Sequence, residues 1–225
     1  MKKNKIKSLI FGISGQDGSY LSDFLFNKGH NVYGTTRNTR KKNIYNEKSY
    51  IAPQSPYGVS KASSFWLTKI FREWYGIKCC SGILFNHESP LRSNEFVTKK
   101  IVNHCKLIKK GKLKYLYLGN INIYRDWGWA PDYVEAMYLM IRQKHLKDLV
   151  IGSGKRHSLR SFVYEVFRLL NIPRSSLKIN IKKLMRKRDI RTYKADPKLA
   201  KKILKWKAKT SFKQIIYKMV NEQLY

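Results

Sequence analysis

Between Lys5 and Phe11 the apolar residues Ile6, Leu9, Ile10 and Phe11 form a short run closed by Gly12, the pattern of a buried strand. From Ser19 to Lys28, Tyr20, Leu21, Phe24 and Leu25 fall at helical spacing, and Gly29 ends the run. Asn31 to Thr36 reads as a second strand. Strand, glycine turn, helix and strand in this order open a βαβ unit. Asn38 to Pro53 is polar and lacks periodicity. A long helix is then expected from about Ser55, with Pro56 at its first position, to Tyr75 before Gly76, its apolar positions including Val59, Phe65, Trp66, Ile70 and Phe71.

Cys79 to Phe85 is apolar and reads as a strand ending in the polar cluster Asn86-His-Glu-Ser-Pro90. The second half alternates similarly. A helix near Glu95 to Lys109 precedes a strand at Leu113 to Leu118, and a loop at 119–130 leads to a helix from Pro131 to Gln143. Leu149 to Ile151 is a brief strand, and Ser158 caps a helix to Leu170. Asp196-Pro197 starts a helix toward Trp206, and Ser211 starts the last one. No internal repeat interrupts this alternation, so the class is α/β.

Composition sharpens the picture. The 225 residues include 47 Lys+Arg against 14 Asp+Glu, a net charge of +33, yet 43% are hydrophobic. That apolar content excludes disorder throughout. The length suits one or two domains that need no disulfide or metal staple. Cys79, Cys80 and Cys105 form no disulfide framework or metal-ligand spacing, which points to a cytoplasmic chain with reduced thiols and no metal. The longest apolar stretches are far too short to span a membrane, and the basic start lacks the apolar run of an export signal. The charge fits a nucleic-acid or polyanion binder. Lys, however, outnumbers Arg more than twofold and is spread along the chain, as on a solvated surface.

Three features carry candidate chemistry. Gly12, Gly15 and Gly18 lie where a strand gives way to a helix, the placement that lets backbone N–H groups approach a pyrophosphate at a helix N-terminus. An ordinary strand–helix turn is the bland alternative. Arg37 closes the second strand, where an Arg accommodates the 2′-phosphate of NADP and an acid would take the ribose of NAD. Tyr57 and Lys61 share a helix face at i, i+4, and an ammonium beside a phenol favours the phenolate needed by a general base. The spacing alone is weak, since this composition yields about two such pairs by chance.

Gly12-Ile-Ser-Gly-Gln-Asp-Gly-Ser-Tyr20, Ser55-Pro-Tyr-Gly-Val-Ser-Lys61, Ile83-Leu-Phe-Asn-His-Glu-Ser-Pro90, Phe96-Val-Thr-Lys-Lys-Ile101, Arg125-Asp-Trp-Gly128 and Asp132-Tyr-Val-Glu-Ala-Met137 resemble the GDP-mannose 4,6-dehydratases of the extended short-chain dehydrogenase/reductase family. The resemblance implies NADP as cofactor and a reaction that takes GDP-mannose to GDP-4-keto-6-deoxymannose, on the route to GDP-fucose. It makes Tyr57 the base and Lys61 the residue that holds the cofactor ribose. Gly12, Ile13, Ser14, Gly15, Gln16, Asp17, Gly18 and Arg37 would face NADP, with His87 and Arg92 near its nicotinamide half. Asn86, Lys100, Arg125 and Arg186 would hold the GDP-sugar.

The resemblance lapses from about Asn38 to Glu47. There about ten residues stand where the family has three further strands and their helices, so roughly a hundred residues are absent. With them goes the family's Ser/Thr-x-Glu pair. A smaller shortening falls around Ile172 to Arg186. The expected architecture is therefore a Rossmann-like doubly wound sheet lacking its central strands. Residues 1–90 form a truncated NADP-binding domain, and 91–225 form a smaller α/β substrate domain interleaved with it. Such a sheet either leaves unpaired edges or pairs strands that were not neighbours, and either outcome impairs the dehydration. The chain would act as a homo-oligomer or dock with a full-length homologue. The alternative is a non-catalytic basic binding protein.

Overall fold

A computed structural model describes residues 7–11, 21, 24–35, 44–185 and 191–224. Contacts divide the chain into two units, 1–42 and 43–225. In the first, β1 (Lys7–Phe11) and β2 (Asn31–Thr35) pair in parallel, Lys7 opposite Asn31 and Phe11 opposite Thr35. Between them residues 24–27 are helical, and Gly29, at φ 83°, turns the chain into β2. A parallel pair needs such a crossover, so the opening of a βαβ unit stands.

In the second unit, α1 (Pro56–Tyr75) has the bounds its end chemistry dictates. The Ser55 side chain accepts the Gly58 N–H, Pro56 fills the first turn, and Gly76 closes the helix at φ 65°. Its C-terminal end is fastened by Arg72, whose guanidinium donates to both oxygens of Asp148 at 2.9 and 2.7 Å and to the Cys79 carbonyl at 3.1 Å. Despite its amphipathic sequence, α1 buries no residue. Val59, Trp66, Leu67, Ile70, Phe71 and Trp74 form one exposed apolar stripe.

The remaining strands are β3 (Ile44–Tyr45), β4 (Gly82–Leu84), β5 (Asn86–Glu88), β6 (Leu116–Tyr117), β7 (Tyr124–Arg125), β8 (Trp127–Trp129), β9 (Leu149–Ile151), β10 (His157–Ser158), β11 (Leu177–Lys178) and β12 (Lys194–Ala195). They pair two by two. The pairs β4–β9, β5–β8, β6–β11 and β3–β12 are parallel, and β7–β10 is antiparallel. The helices are α2 (Val97–Lys109), α3 (Ala130–Ile141), α4 (Leu159–Leu170), α5 (Lys198–Leu204) and α6 (Phe212–Val220).

β8 separates two cores by the alternation of a strand. Trp127 and Trp129 join the cluster formed by Ile101 and Cys105 of α2, Phe162 and Val166 of α4, and Ile216 and Met219 of α6. Gly128 points the other way, toward Tyr133 of α3, which packs with Met140, Ile151, Leu204 and Trp206. A Cβ on Gly128 would lie 2.2 Å from the Tyr133 ring, so only glycine lets α3 approach this closely. The architecture is α/β with parallel strand pairs. The strands β3, β5, β7 and β8 occupy positions not expected to be strand; in β5 and β7 the polar residues Glu88 and Arg125 are buried, as is Asp126 between β7 and β8. Among the described residues no helix is long and apolar enough to cross a membrane.

Candidate functional site

The β5–β8 register sets Asn86 opposite Trp127, His87 opposite Gly128 and Glu88 opposite Trp129. With no side chain on Gly128, the His87 ring lies beside Tyr133, centroids 5.1 Å apart. His87 Nδ1 is 2.9 Å from the Phe85 carbonyl, which fixes the ring's rotation. Arg92 donates to the His87 carbonyl at 2.7 Å, and its guanidinium lies 3.8 Å over the Phe96 ring.

Asn86 and Arg125 meet through a third residue. Tyr193 donates its hydroxyl to Asn86 Oδ1 at 3.0 Å, and the Arg125 guanidinium sits 4.7 Å over the Tyr193 ring. Arg125 also donates to the Tyr124 carbonyl and is buried. Tyr193 was not singled out by its sequence, where it is one of 15 tyrosines. Asp126 holds the assembly from beneath. It is fully buried and accepts the N–H groups of Ser153, Gly154 and Ala195 at 2.9, 2.9 and 3.0 Å. Burial nevertheless pushes its carboxyl above the ordinary range, against the pull of those bonds.

Glu88, on the Trp127–Trp129 side of β5, accepts the Thr98 hydroxyl at 2.6 Å and lies 3.3 Å from Arg92 Nε. Burial outweighs both partners and raises its pKa to about 7. This carboxyl ties β5 to α2, a link that the motif alone did not disclose.

Tyr57 and Lys61 are neighbours on α1, with Lys61 Nζ 5.6 Å from the Tyr57 ring centroid. Tyr57 is 73% exposed. Lys100 lies exposed on α2, where its carbonyl receives His104 and no contact draws its side chain to Asn86. The turn from Gly12 through Ile13, Ser14, Gly15, Gln16 and Asp17 to Gly18 lies outside the described residues, as do Arg37 and Arg186. The fit to a dinucleotide can be judged on the flanking frame alone: the parallel β1–β2 pair, with the glycine triplet directly after Phe11, is the frame such a turn requires.

A family model described as GDP-mannose 4,6 dehydratase matches residues 9–49 and 40–219. The GDP-mannose 4,6 dehydratase of Dictyostelium discoideum is 40% identical over 189 residues, covering 76% of this chain and 53% of that protein. The human GDP-mannose 4,6 dehydratase is 35% identical over 209 residues, 84% of this chain and 55% of that one. The chain thus spans about half the length of the curated relatives it matches. Among solved structures, that of RMD from Pseudomonas aeruginosa complexed with NADPH superposes with a TM-score of 0.74 at 18% identity, over 90% of this chain and 70% of that chain. A dTDP-glucose 4,6-dehydratase from Bacillus anthracis in complex with NAD gives 0.71 at 15% identity, over 96% of each. At these identities the likeness is one of fold, and the fold is that of the Rossmann-type dehydratases.

Proposed function

The chain belongs to the GDP-mannose 4,6 dehydratase family, and from that premise we propose that it binds NADP chiefly through residues 1–90 and a GDP-sugar through 91–225 together with Asn86. The observation that carries the reading is the cluster Asn86–Tyr193–Arg125, in which an amide, a phenol and a guanidinium from three separate stretches meet. A guanidinium packed over a ring is preset for a diphosphate, because its fork of N–H donors needs little further ordering.

In this reading the glycine turn and Arg37 hold the dinucleotide, whose nicotinamide supplies the hydride chemistry when bound. His87 and Arg92 flank that group. Tyr57, as the phenolate that the nearby Lys61 charge favours, takes the proton from the sugar 4-hydroxyl and becomes the neutral phenol. Asn86, Lys100, Arg125 and Arg186 orient the GDP moiety. The elimination that follows needs a base and an acid. The family's Ser/Thr-x-Glu pair has no counterpart here, and Tyr57 stands open to water rather than in a closed pocket. Dehydration by this chain alone is therefore impaired, while binding is retained.

A thermal melt separates these statements. NADP+ and GDP-mannose should each raise the midpoint, by about 2.7 kcal/mol of stabilisation at a hundredfold excess over the dissociation constant. The Arg125→Ala variant should lose the GDP-mannose effect and keep that of NADP+. Formation of GDP-4-keto-6-deoxymannose should run at least about a hundredfold below that of a full-length relative, the scale of loss from a misplacement of about 1 Å. A midpoint blind to both ligands sinks the binding reading.

The exposed stripe on α1 favours association. Trp66 and Trp74 are 49% and 78% exposed, and six large apolar side chains along one face offer several hundred Å², a fair part of the roughly 800 Å² per partner of a standard interface. We expect sedimentation velocity to show a dimer or larger species that the Trp66→Glu, Ile70→Glu double variant converts to monomer. A monomeric parent protein would refute this.

A further inference from the structure

On the far side of β8 from His87, a cavity of about 510 Å³ opens against the start of α6. Its wall includes Trp127, Lys155, His157, Glu165, Phe212 and Lys213. None of these belongs to the cluster proposed to hold the dinucleotide or the GDP-sugar. His157 and Phe212 stack face to face, centroids 3.9 Å apart and planes 3° from parallel, and Phe212 in turn stacks on Trp127 at 5.9 Å. The result is a flat aromatic wall on which two lysines converge.

The polar groups facing this space are unequally provided. The hydroxyls of Ser153 and Thr210 are given to Asp126 and Asp132, and that of Ser161 to the Ser158 carbonyl. Lys209, also on the wall, is held by both oxygens of Glu135. The one carboxylate on the wall, Glu165, is occupied by Arg168 at 2.7 and 3.1 Å. What remains is chiefly donors, with Lys213 also feeling the charge of Glu165. At the start of α6 a capping box joins Ser211 and Gln214. It leaves the first-turn N–H groups of Phe212 and Lys213 without intrahelical acceptors. Trp127 is 98% buried by its 2% exposure, and its indole N–H has no hydrogen-bond partner. A buried donor left unmade costs about 1–3 kcal/mol, so an acceptor supplied from outside would be favoured there.

We propose that this cavity is a binding site for a small phosphate-bearing anion, held by Lys155, Lys213, the first-turn N–H groups of α6 and the Trp127 indole. Three kinds of donor line the space and its lysines outnumber its one carboxylate, which Arg168 already engages, so an anion suits it better than a neutral ligand or a cation. The helix N-terminus adds its partial positive charge. Burial lowers the His157 pKa, Asp126 opposes that shift, and Lys155 adds to it. An anion would offset the lysine's influence and give a local reporter.

The test is an NMR titration of the intact chain with inorganic phosphate, balanced against sodium chloride at constant ionic strength. The His157 ring signals are assigned by a His157→Gln variant. Phosphate should move the His157 and Trp127 indole signals along one saturable curve with a millimolar midpoint, and chloride should not. The Lys155→Gln, Lys213→Gln double variant, altered only at exposed side chains, should weaken that curve at least tenfold. A control pair on another surface, Lys144→Gln, Lys147→Gln, should leave it within twofold. A non-saturating response, an equal response to chloride, or equal weakening in both double variants would overturn the site. The GDP-mannose arm of the melt is untouched by this result, so the two readings fail separately.

Discussion

Replacing Asp126 by Ala is expected to destabilise the protein by about 3–5 kcal/mol, enough to consume most of the margin of an ordinary domain. The side chain is completely buried and gathers three backbone N–H groups and the Ser153 hydroxyl from two distant stretches. Its removal strands those N–H groups, which lose a charged acceptor that gathered all three. The hydroxyl can turn to the Lys155 carbonyl, 3.2 Å away, so it adds little. Asp126→Asn keeps one acceptor oxygen and should cost about half as much. Urea titrations of the three proteins measure this directly. An Ala variant within about 1 kcal/mol of the parent would mean that the bonds are individually weak. The consequence for function is local. Ala195 follows Tyr193 by two residues, so loosening β12 releases the ring that Arg125 and Asn86 share.

How far such an arrangement was legible depended on whether its signal is local. The bounds of α1, α4 and α6 follow from Ser55-Pro56 and Gly76, from Ser158, and from Ser211, each a capping group acting within a few residues of itself. The strands β5, β7 and β8 were illegible for the opposite reason. They are two or three residues long, and Glu88, Arg125 and Asp126 look like loop residues until burial and partners from remote positions are known. The same holds for the site. Asn86 and Arg125 stand out by resemblance, but Tyr193, which joins them, carries no local mark. Lys100 does carry the motif's mark and yet lies exposed on α2. The stripe on α1 is the reverse case. Its period predicts burial, yet among the described residues nothing covers Val59, Trp66, Ile70 and Trp74. Periodicity reports that a face is apolar, not that this chain supplies what covers it.

Stability should also fall as pH rises from about 4.5 toward neutrality, and Glu88 is the cause. Its ordinary value is 4.5, and in the folded protein burial, opposed by Arg92 and the Thr98 hydroxyl, raises it to about 7. Below pH 4.5 the group is protonated in both states and contributes its full share. Between the two values the unfolded chain gives up the proton while the folded chain keeps it, so unfolding is favoured by about 1.4 kcal/mol for each unit of pH. Above pH 7 both forms are ionised and this slope vanishes. The loss across the window is roughly 3 kcal/mol. Other groups titrate nearby: His157, with its pKa lowered, loses its penalty as pH rises and so works in the opposite direction. The difference between parent and Glu88→Gln isolates the carboxyl. Urea midpoints at pH 5 and pH 8 should show the parent losing roughly 3 kcal/mol more than the variant over this interval. Equal losses would place the Glu88 proton outside that window. The effect bears on the site because Arg92, which faces this carboxyl, also donates to the His87 carbonyl at 2.7 Å. Once ionised, Glu88 draws Arg92 more strongly, and the hold on His87 becomes a function of pH between about 4.5 and 7.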